Sequence, residues 1–305
     1  MKPLSIIIIT YNRPDDLLDL CRNIAEQEDA AALLENVVIV NNGSTIDYSP
    51  VTDFIAAHRD IPFEYKWSDQ NLGVVGGRNM AIGLARAAIL ITLDDDAYFR
   101  DADALKKVLQ AFEHPFTTTR PFGAMAFKVL YTANGEMQQN AFPHKEFELY
   151  RDKPHFLAPY YIGCGHAITR EAYEAAGLYP EDFFYGMEEY DLGYRIIDKG
   201  YAIAYEASVV VMHKESPLAR VPNETKMRML WTNKAKVTYR YLPLFYFVTA
   251  SLLWSLEYLK KTSWDLKGWL KGWNIIRRIP AQNKRQPLSD EAMEYLHQAA
   301  ARLWY

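Results

Sequence analysis

The sequence predicts an α/β protein with a mostly parallel central sheet flanked by helices and a helical C-terminal extension. Two observations carry that prediction. Over the first hundred residues short β-branched runs alternate with stretches of helical periodicity, the pattern of successive βαβ units. Beyond Lys214 the composition changes: residues 226–285 hold 13 Lys and Arg against only Glu257 and Asp265, together with five of the seven tryptophans (Trp231, Trp254, Trp264, Trp269, Trp273). A formal net charge of −4 over 305 residues therefore conceals a basic C-terminal segment and an acidic remainder. The expected division is a main domain over residues 1–216, with its halves meeting near residue 100, and a helical region over 217–305.

Leu4–Thr10 reads as a buried strand that ends at the loop TYNRP, with Pro14 at a helix start and Leu17, Leu20, Cys21 and Ile24 at helical spacing behind it. Val37–Val40 is a second strand running into the turn-rich NNGST, and Phe63–Trp67 a third. Asn71–Met80, NLGVVGGRNM, is expected to be a glycine-rich loop before an alanine-rich helix over Ala81–Ala88. Ala88–Leu93 then delivers Asp94, Asp95 and Asp96. In parallel sheets ligands bind outside the carboxyl ends of the strands, and every loop just named lies there.

Three adjacent carboxylates repel one another unless a cation sits among them, and their hard oxygens suit Mg²⁺ or Mn²⁺. The competing reading is a polar turn that caps the following helix. A second acidic group, Glu188, Glu189 and Asp191, lies in FYGMEEYDLGYR; on a helix 188 and 191 share a face and 189 points about a quarter turn away. The rest is exclusion. Neither a GxxxxGK[ST] loop nor a GxGxxG after the first strand occurs, against nucleoside triphosphatases of the P-loop type and nicotinamide enzymes. Cys21 and Cys164 form no CxxC or Cys/His cluster, which points to a reducing cytosol without structural zinc or disulfides. MKPLSIIIITYNRP reads as a first strand, not a targeting segment. Basic and aromatic residues interleave near the C-terminus, but no RNP or helix-turn-helix pattern supports a nucleic-acid partner.

The ordered series IIIITYNRP, VVIVNNGST, NLGVVGGRN, LDDDA, GCGHAITREAYEAAG, FYGMEEYDLGYR and VVVMHK resembles the bacterial family 2 glycosyltransferases, which have the glycosyltransferase A (nucleotide-diphospho-sugar transferase) fold. The resemblance runs from about Pro3 to Lys214 and continues loosely beyond. It implies an inverting, metal-dependent transfer of a sugar from a nucleoside-diphosphate sugar to a saccharide or lipid-linked acceptor in surface-polysaccharide synthesis, with rhamnosyltransferase-like enzymes among the relatives. Thr10, Tyr11, Asn12 and Arg13 match the family's first nucleotide loop. Asn42 stands where relatives usually carry an acid for the pyrimidine ring, and Asn41 and Asn42 are both amides, so UDP and dTDP, including dTDP-rhamnose, both remain open. Asn71, Gly73, Arg78 and Asn79 match the second donor loop, with Arg13 or Arg78 suited to phosphate. Asp94, Asp95 and Asp96 match the carboxylate motif that holds Mn²⁺ or Mg²⁺ and the donor, the last acid touching the metal; His213 is placed as a further metal ligand. Glu189 aligns with the general base, Asp191 is its rival, and Glu188 stands beside them; the GCGH loop with His166 faces donor or acceptor.

Two other readings compete: a sugar-nucleotidyltransferase, which should show a basic glycine-rich loop where TYNRP stands, and a non-catalytic glycan- or nucleotide-binding protein. The charge-free Tyr241–Leu256 is short for a membrane span and is interrupted by Pro243, Thr249, Ser251 and Ser255. The following WDLKGWLKGWNIIRR interleaves apolar residues with cations, which suits an interfacial helix on an anionic membrane or, alternatively, a buried helix pair or dimer interface. The expected location is the cytoplasm, peripheral at the inner face of the cell membrane.

Overall fold

The computed structural model describes residues 1–304 apart from 114–115, 117–118 and 219–220. Its first half is a parallel sheet of β1 (Leu4–Thr10), β2 (Leu34–Asn41), β3 (Phe63–Trp67) and β4 (Ile89–Asp94), in the order β3-β2-β1-β4. The connections carry α1 (Pro14–Ala25), α2 (Ser49–Ala57) and α3 (Gly73–Leu84). Leu4, Ile6, Ile7 and Ile8 are all buried, as are Val37 to Val40, because these central strands are covered on both faces; only the edge strand β3 exposes residues, Lys66 and Trp67, among these four.

The second half turns the sheet into a mixed one. It adds β5 (Ala97–Phe99), α4 (Ala104–Glu113), β6 (Phe122–Tyr131), β7 (His155–Leu157), β8 (Gly165–Thr169), α5 (Arg170–Ala176), α6 (Glu188–Asp198) and β9 (Ala202–His213). The order continues β4-β8-β6-β9-β5, with β7 also on β9. β8 runs antiparallel to both β4 and β6, whereas β6 and β9 are parallel. The antiparallel pairing of β5 with β9 sets Ala97 opposite His213 and so draws the end of β9 to the three aspartates.

One expected loop is a helix. The stretch Asn71–Met80 enters α3 at Gly73, and its glycines serve close packing inside that helix: a Cβ on Gly77 would stand 3.0 Å from Ile9 Cγ2. Gly73 itself has φ +73°, and a Cβ there would lie 2.6 Å from the Phe184 carbonyl oxygen, so that position admits only glycine without a shift.

The C-terminal residues form α7 (Asn223–Tyr241), α8 (Leu244–Lys261), α9 (Leu266–Ile276) and α10 (Asp290–Gln298), and they divide between two cores. Trp231 centres a small cluster with Met227, Ala235, Tyr258, Leu259, Ile276 and Ile279. The last segment returns to the main core through Leu288, Ala292, Tyr295 and Leu296. There the Tyr295 hydroxyl accepts the Ile203 N–H (3.0 Å) and donates to the Ile203 carbonyl (2.9 Å).

Candidate active site

The carboxyl ends of β1, β2 and β4 open into a cleft of about 450 Å³ whose wall includes Thr10, Tyr11, Arg13, Asn42, Asn71, Gly73, Arg78, Asp94 to Asp96, Glu188, Glu189 and His213. Strand ends supply the aspartates and Thr10, the N-terminus of α3 supplies Gly73, and the N-terminus of α6 supplies the two glutamates.

On one side, Asp94, Asp96 and His213 each offer one ligand atom, all lying within 4.8 Å of one another. Asp96 Oδ1 is 3.2 Å from His213 Nε2, and its Oδ2 accepts the Ser216 N–H at 2.8 Å and faces Arg13 Nη1 at 3.1 Å. His213 Nδ1 donates to Gln138 Oε1 at 2.8 Å, which turns Nε2 toward the carboxylates. Burial works against a charge on His213, yet its hydrogen bonds with Asp96 and Cys164 hold a proton there, up to about 11. Two hard oxygens and one imidazole with its far nitrogen fixed fit Mn²⁺ and admit Mg²⁺, the ion taking the place of the proton on Nε2. Asp95 stands apart: it pairs with Arg13 at 3.1 Å, and burial, against the pull of Arg13, lifts its carboxyl to about 7.

On the other side, Gly186 (φ +82°) and Met187 (φ +70°) turn the chain into α6 so that its first two residues both reach the cleft. Arg78, 3% exposed, joins the two sides. Its Nη1 donates to Glu189 Oε1 at 3.1 Å and lies 3.5 Å from Glu188 Oε1; its Nη2 donates to Asp94 Oδ1 at 3.1 Å and to the Gly163 carbonyl at 3.0 Å. Burial raises the pKa of Glu189 against the pull of Arg78, while burial and the charge of Glu189 push Glu188 to about 8. One Glu188 oxygen, Oε2, is buried without a hydrogen-bond partner.

Several residues lie elsewhere than the motifs suggested. Asp191, read as sharing the face of Glu188, is turned from the cleft: its Oδ1 accepts from Arg195 Nε (3.0 Å) and Nη2 (2.9 Å), and its Oδ2 from Arg240 Nη1 (3.0 Å) and the Tyr241 hydroxyl (3.0 Å). The short Asp side chain is captured by α7, whereas the longer glutamates at the open helix end reach Arg78. Arg78 in turn, read as a phosphate ligand, spends both terminal nitrogens on protein oxygens. Asn12 accepts the Thr45 N–H (2.8 Å), and Asn41 bonds the Tyr65 hydroxyl (2.7 Å) and the Ser44 N–H (3.0 Å), so both shape loops behind the cleft wall. Asn79 exchanges two bonds of 3.0 Å with the Tyr179 backbone. Asn42 does face the cleft, but its amide holds the next loop, donating to the Gly73 carbonyl (2.9 Å) and accepting the Leu72 N–H (2.9 Å). His166 is fully buried between the Ile162 carbonyl (2.8 Å) and the Tyr179 hydroxyl (3.1 Å), and burial, then Arg78, lowers it to about 3. Cys164, within the GCGH loop, lines the cleft, as does Gln138, which no motif announces.

Comparison with known proteins places this geometry. The sequence profile described as Glycosyl transferase family 2 matches residues 5–177. An uncharacterized protein of Haemophilus influenzae is 27% identical over 177 residues, 58% of this chain and 92% of its own length. Among solved structures, the mannosyltransferase PcManGT from Pyrobaculum calidifontis in complex with GDP-Man and Mn²⁺ superposes with a TM-score of 0.62 at 20% identity, covering 100% of this chain and 81% of that one. S. aureus TarS 1–349 in complex with UDP-GlcNAc gives a TM-score of 0.61 at 15% identity, covering 92% of this chain and 81% of that one. These likenesses establish the glycosyltransferase A fold, and the profile match over more than half of the sequence makes the chain a member of glycosyl transferase family 2.

Proposed function

We propose that this protein is a metal-dependent, inverting hexosyltransferase that moves a sugar from a UDP- or dTDP-linked donor, such as dTDP-rhamnose, to a hydroxyl of a saccharide or lipid-linked acceptor in cell-surface polysaccharide synthesis. The observation that carries the reading is the opposition of two chemistries across one cleft, with Asp94, Asp96 and His213 on one wall and Glu189 on the other, spanned by Arg78. Asp94, Asp96 and His213 would hold the ion, and when bound it neutralises charge developing on the departing nucleoside diphosphate. Arg13, on the same wall, adds a fixed positive charge beside the diphosphate.

Glu189 is the base. As the acceptor oxygen attacks the anomeric carbon from the face opposite the diphosphate, its proton passes to a Glu189 oxygen and the bond to the diphosphate breaks. A raised pKa suits that duty, because a carboxylate nearer the working pH accepts a proton more readily. Arg78 holds Glu189 in place and, against burial, favours its ionised form. The mannosyltransferase with GDP-Man and Mn²⁺ and TarS with UDP-GlcNAc support a nucleotide-sugar donor in a cleft of this fold.

Calorimetric titration of UDP, dTDP and GDP into the protein, with and without Mn²⁺, tests the reading. Binding of UDP or dTDP that requires Mn²⁺ is expected. Binding that is indifferent to Mn²⁺ would refute the metal role, preference for GDP would refute the pyrimidine donor, and no binding by folded, metal-replete protein would refute the donor site.

A further inference from the structure

The helices α8 and α9 leave an apolar face uncovered. On α8, Phe245, Leu252 and Leu256 are 53, 51 and 63% exposed. At 100° per residue they fall within a sector of about 40°. Ala250, Ser251, Ser255 and Tyr258 take the covered side, where the Ser251 carbonyl accepts the Trp231 indole N–H at 2.9 Å. On α9, Leu266 and Leu270 are one turn apart and 59 and 62% exposed, while Gly268, Gly272 and Ile276 turn inward. Trp264, in the connection, is 68% exposed. Large apolar side chains gathered in this way mark an interaction surface.

Its rim is cationic. Lys260 and Lys261 close α8, Lys267 and Lys271 each follow an outward leucine by one position, and Arg277, Arg278 and Lys284 are exposed beyond α9. The two acids of this segment are engaged within it: Glu257 pairs with Lys261 at 2.9 Å, and Asp265 accepts the Gly268 N–H at 2.9 Å and the Tyr258 hydroxyl at 2.6 Å. Apolar residues edged by cations that outnumber the two acids among them match the surface of an anionic bilayer, which offers an acyl boundary under a sheet of negative headgroups. A second copy of the chain fits less well, because a self-complementary contact would set the same cationic rims against each other.

We propose that the α8–α9 face docks this protein on an anionic membrane surface, lying in the headgroup layer. Among the described residues no helix is long and apolar enough to cross a membrane. The docking face and the cleft share a supporting helix, since α7 carries Lys226 and Leu230 at the cleft and Trp231 beneath α8 and α9. Docking stands on these residues alone, whatever sugar the cleft accepts.

Co-sedimentation of the full chain with phosphatidylcholine vesicles, with and without a third of phosphatidylglycerol, tests this, with thermal melting to confirm that each variant folds. The wild type should sediment with the anionic vesicles and only weakly with neutral ones, and raising NaCl from about 0.1 M to about 0.5 M should weaken binding. Lys267→Glu with Lys271→Glu should lower the affinity by at least about 30-fold, and Leu252→Glu with Leu256→Glu should abolish binding. Wild-type protein that stays in the supernatant, or variants that bind as the wild type does, would overturn the proposal. So would a wild-type dimer in sedimentation equilibrium that Leu252→Glu with Leu256→Glu dissolves, since a second copy would then cover the face.

Discussion

Replacing Asp191 separates the two acids that compete for the role of base. Asp191 is 1% exposed, and its carboxylate accepts four hydrogen bonds, three from Arg195 and Arg240 and one from Tyr241. Removing one partner of a buried ion pair costs about 3–5 kcal/mol. Arg195 and Arg240 keep 19 and 14% of their side chains in solvent, and Arg240 retains Asp182 at 2.7 Å, so rehydration and the remaining partner place Asp191→Ala at the lower end. About 3 kcal/mol corresponds to roughly 6 °C in Tm for a chain of this size. Thermal unfolding followed by circular dichroism should show that loss, while kcat at 25 °C, measured on the folded fraction, stays above the roughly 10²-fold drop that removal of a base would produce. An unchanged Tm together with a kcat reduced beyond that threshold would refute the argument and make Asp191 the base.

Glu189→Gln should do the reverse, leaving Tm and donor affinity near wild type and lowering kcat by about 10²–10⁴-fold; full turnover in that variant would remove Glu189 from the mechanism. Asp96→Ala should abolish Mn²⁺-dependent binding of UDP or dTDP, read by calorimetry, because it takes away the acid that touches both His213 and Arg13; retained dependence would contradict the metal assignment. Glu188 has its pKa raised by burial and by Glu189 from 4.5 to about 8, so the folded state holds its proton more tightly than the unfolded chain, and stability should fall as pH rises through that window. Glu188→Gln replaces the titrating carboxyl with a neutral amide and should flatten the decline in Tm between pH 5 and 8; parallel curves for variant and wild type would show that Glu188 does not titrate there.

Much of this architecture is local and therefore visible in sequence. β-branched runs bounded by turn residues identify β1 to β4, because strand propensity and burial act on contiguous residues. The aspartates after β4 and the acids at 188, 189 and 191 announce themselves by density of charge, and the interleaved leucines and lysines that line the exposed side of α9 are visible as such in the sequence. The glycine run of α3 misleads, since in isolation glycine signals a turn, and only the closeness of Ile9 and Phe184 explains why a helix needs it there.

Direction and partnership belong to the tertiary structure. Which acid of EEYD meets the cleft depends on the left-handed turn at Gly186 and Met187, and on α7 presenting Arg240 and Tyr241 to Asp191 from 49 and 50 residues away. Arg78 becomes the link across the cleft by contacts spanning 16 to 111 residues, and Gln138 orients His213 across 75. The antiparallel β8 and the return of α10 to the main core likewise rest on long-range pairing. Sequence alone determined the first four strands, the clusters of acids and the basic, aromatic character of the C-terminal helices, because those follow from near neighbours along the chain. Only the fold decided which charges face one another, because a buried charge takes its role from the partner that desolvation obliges it to find.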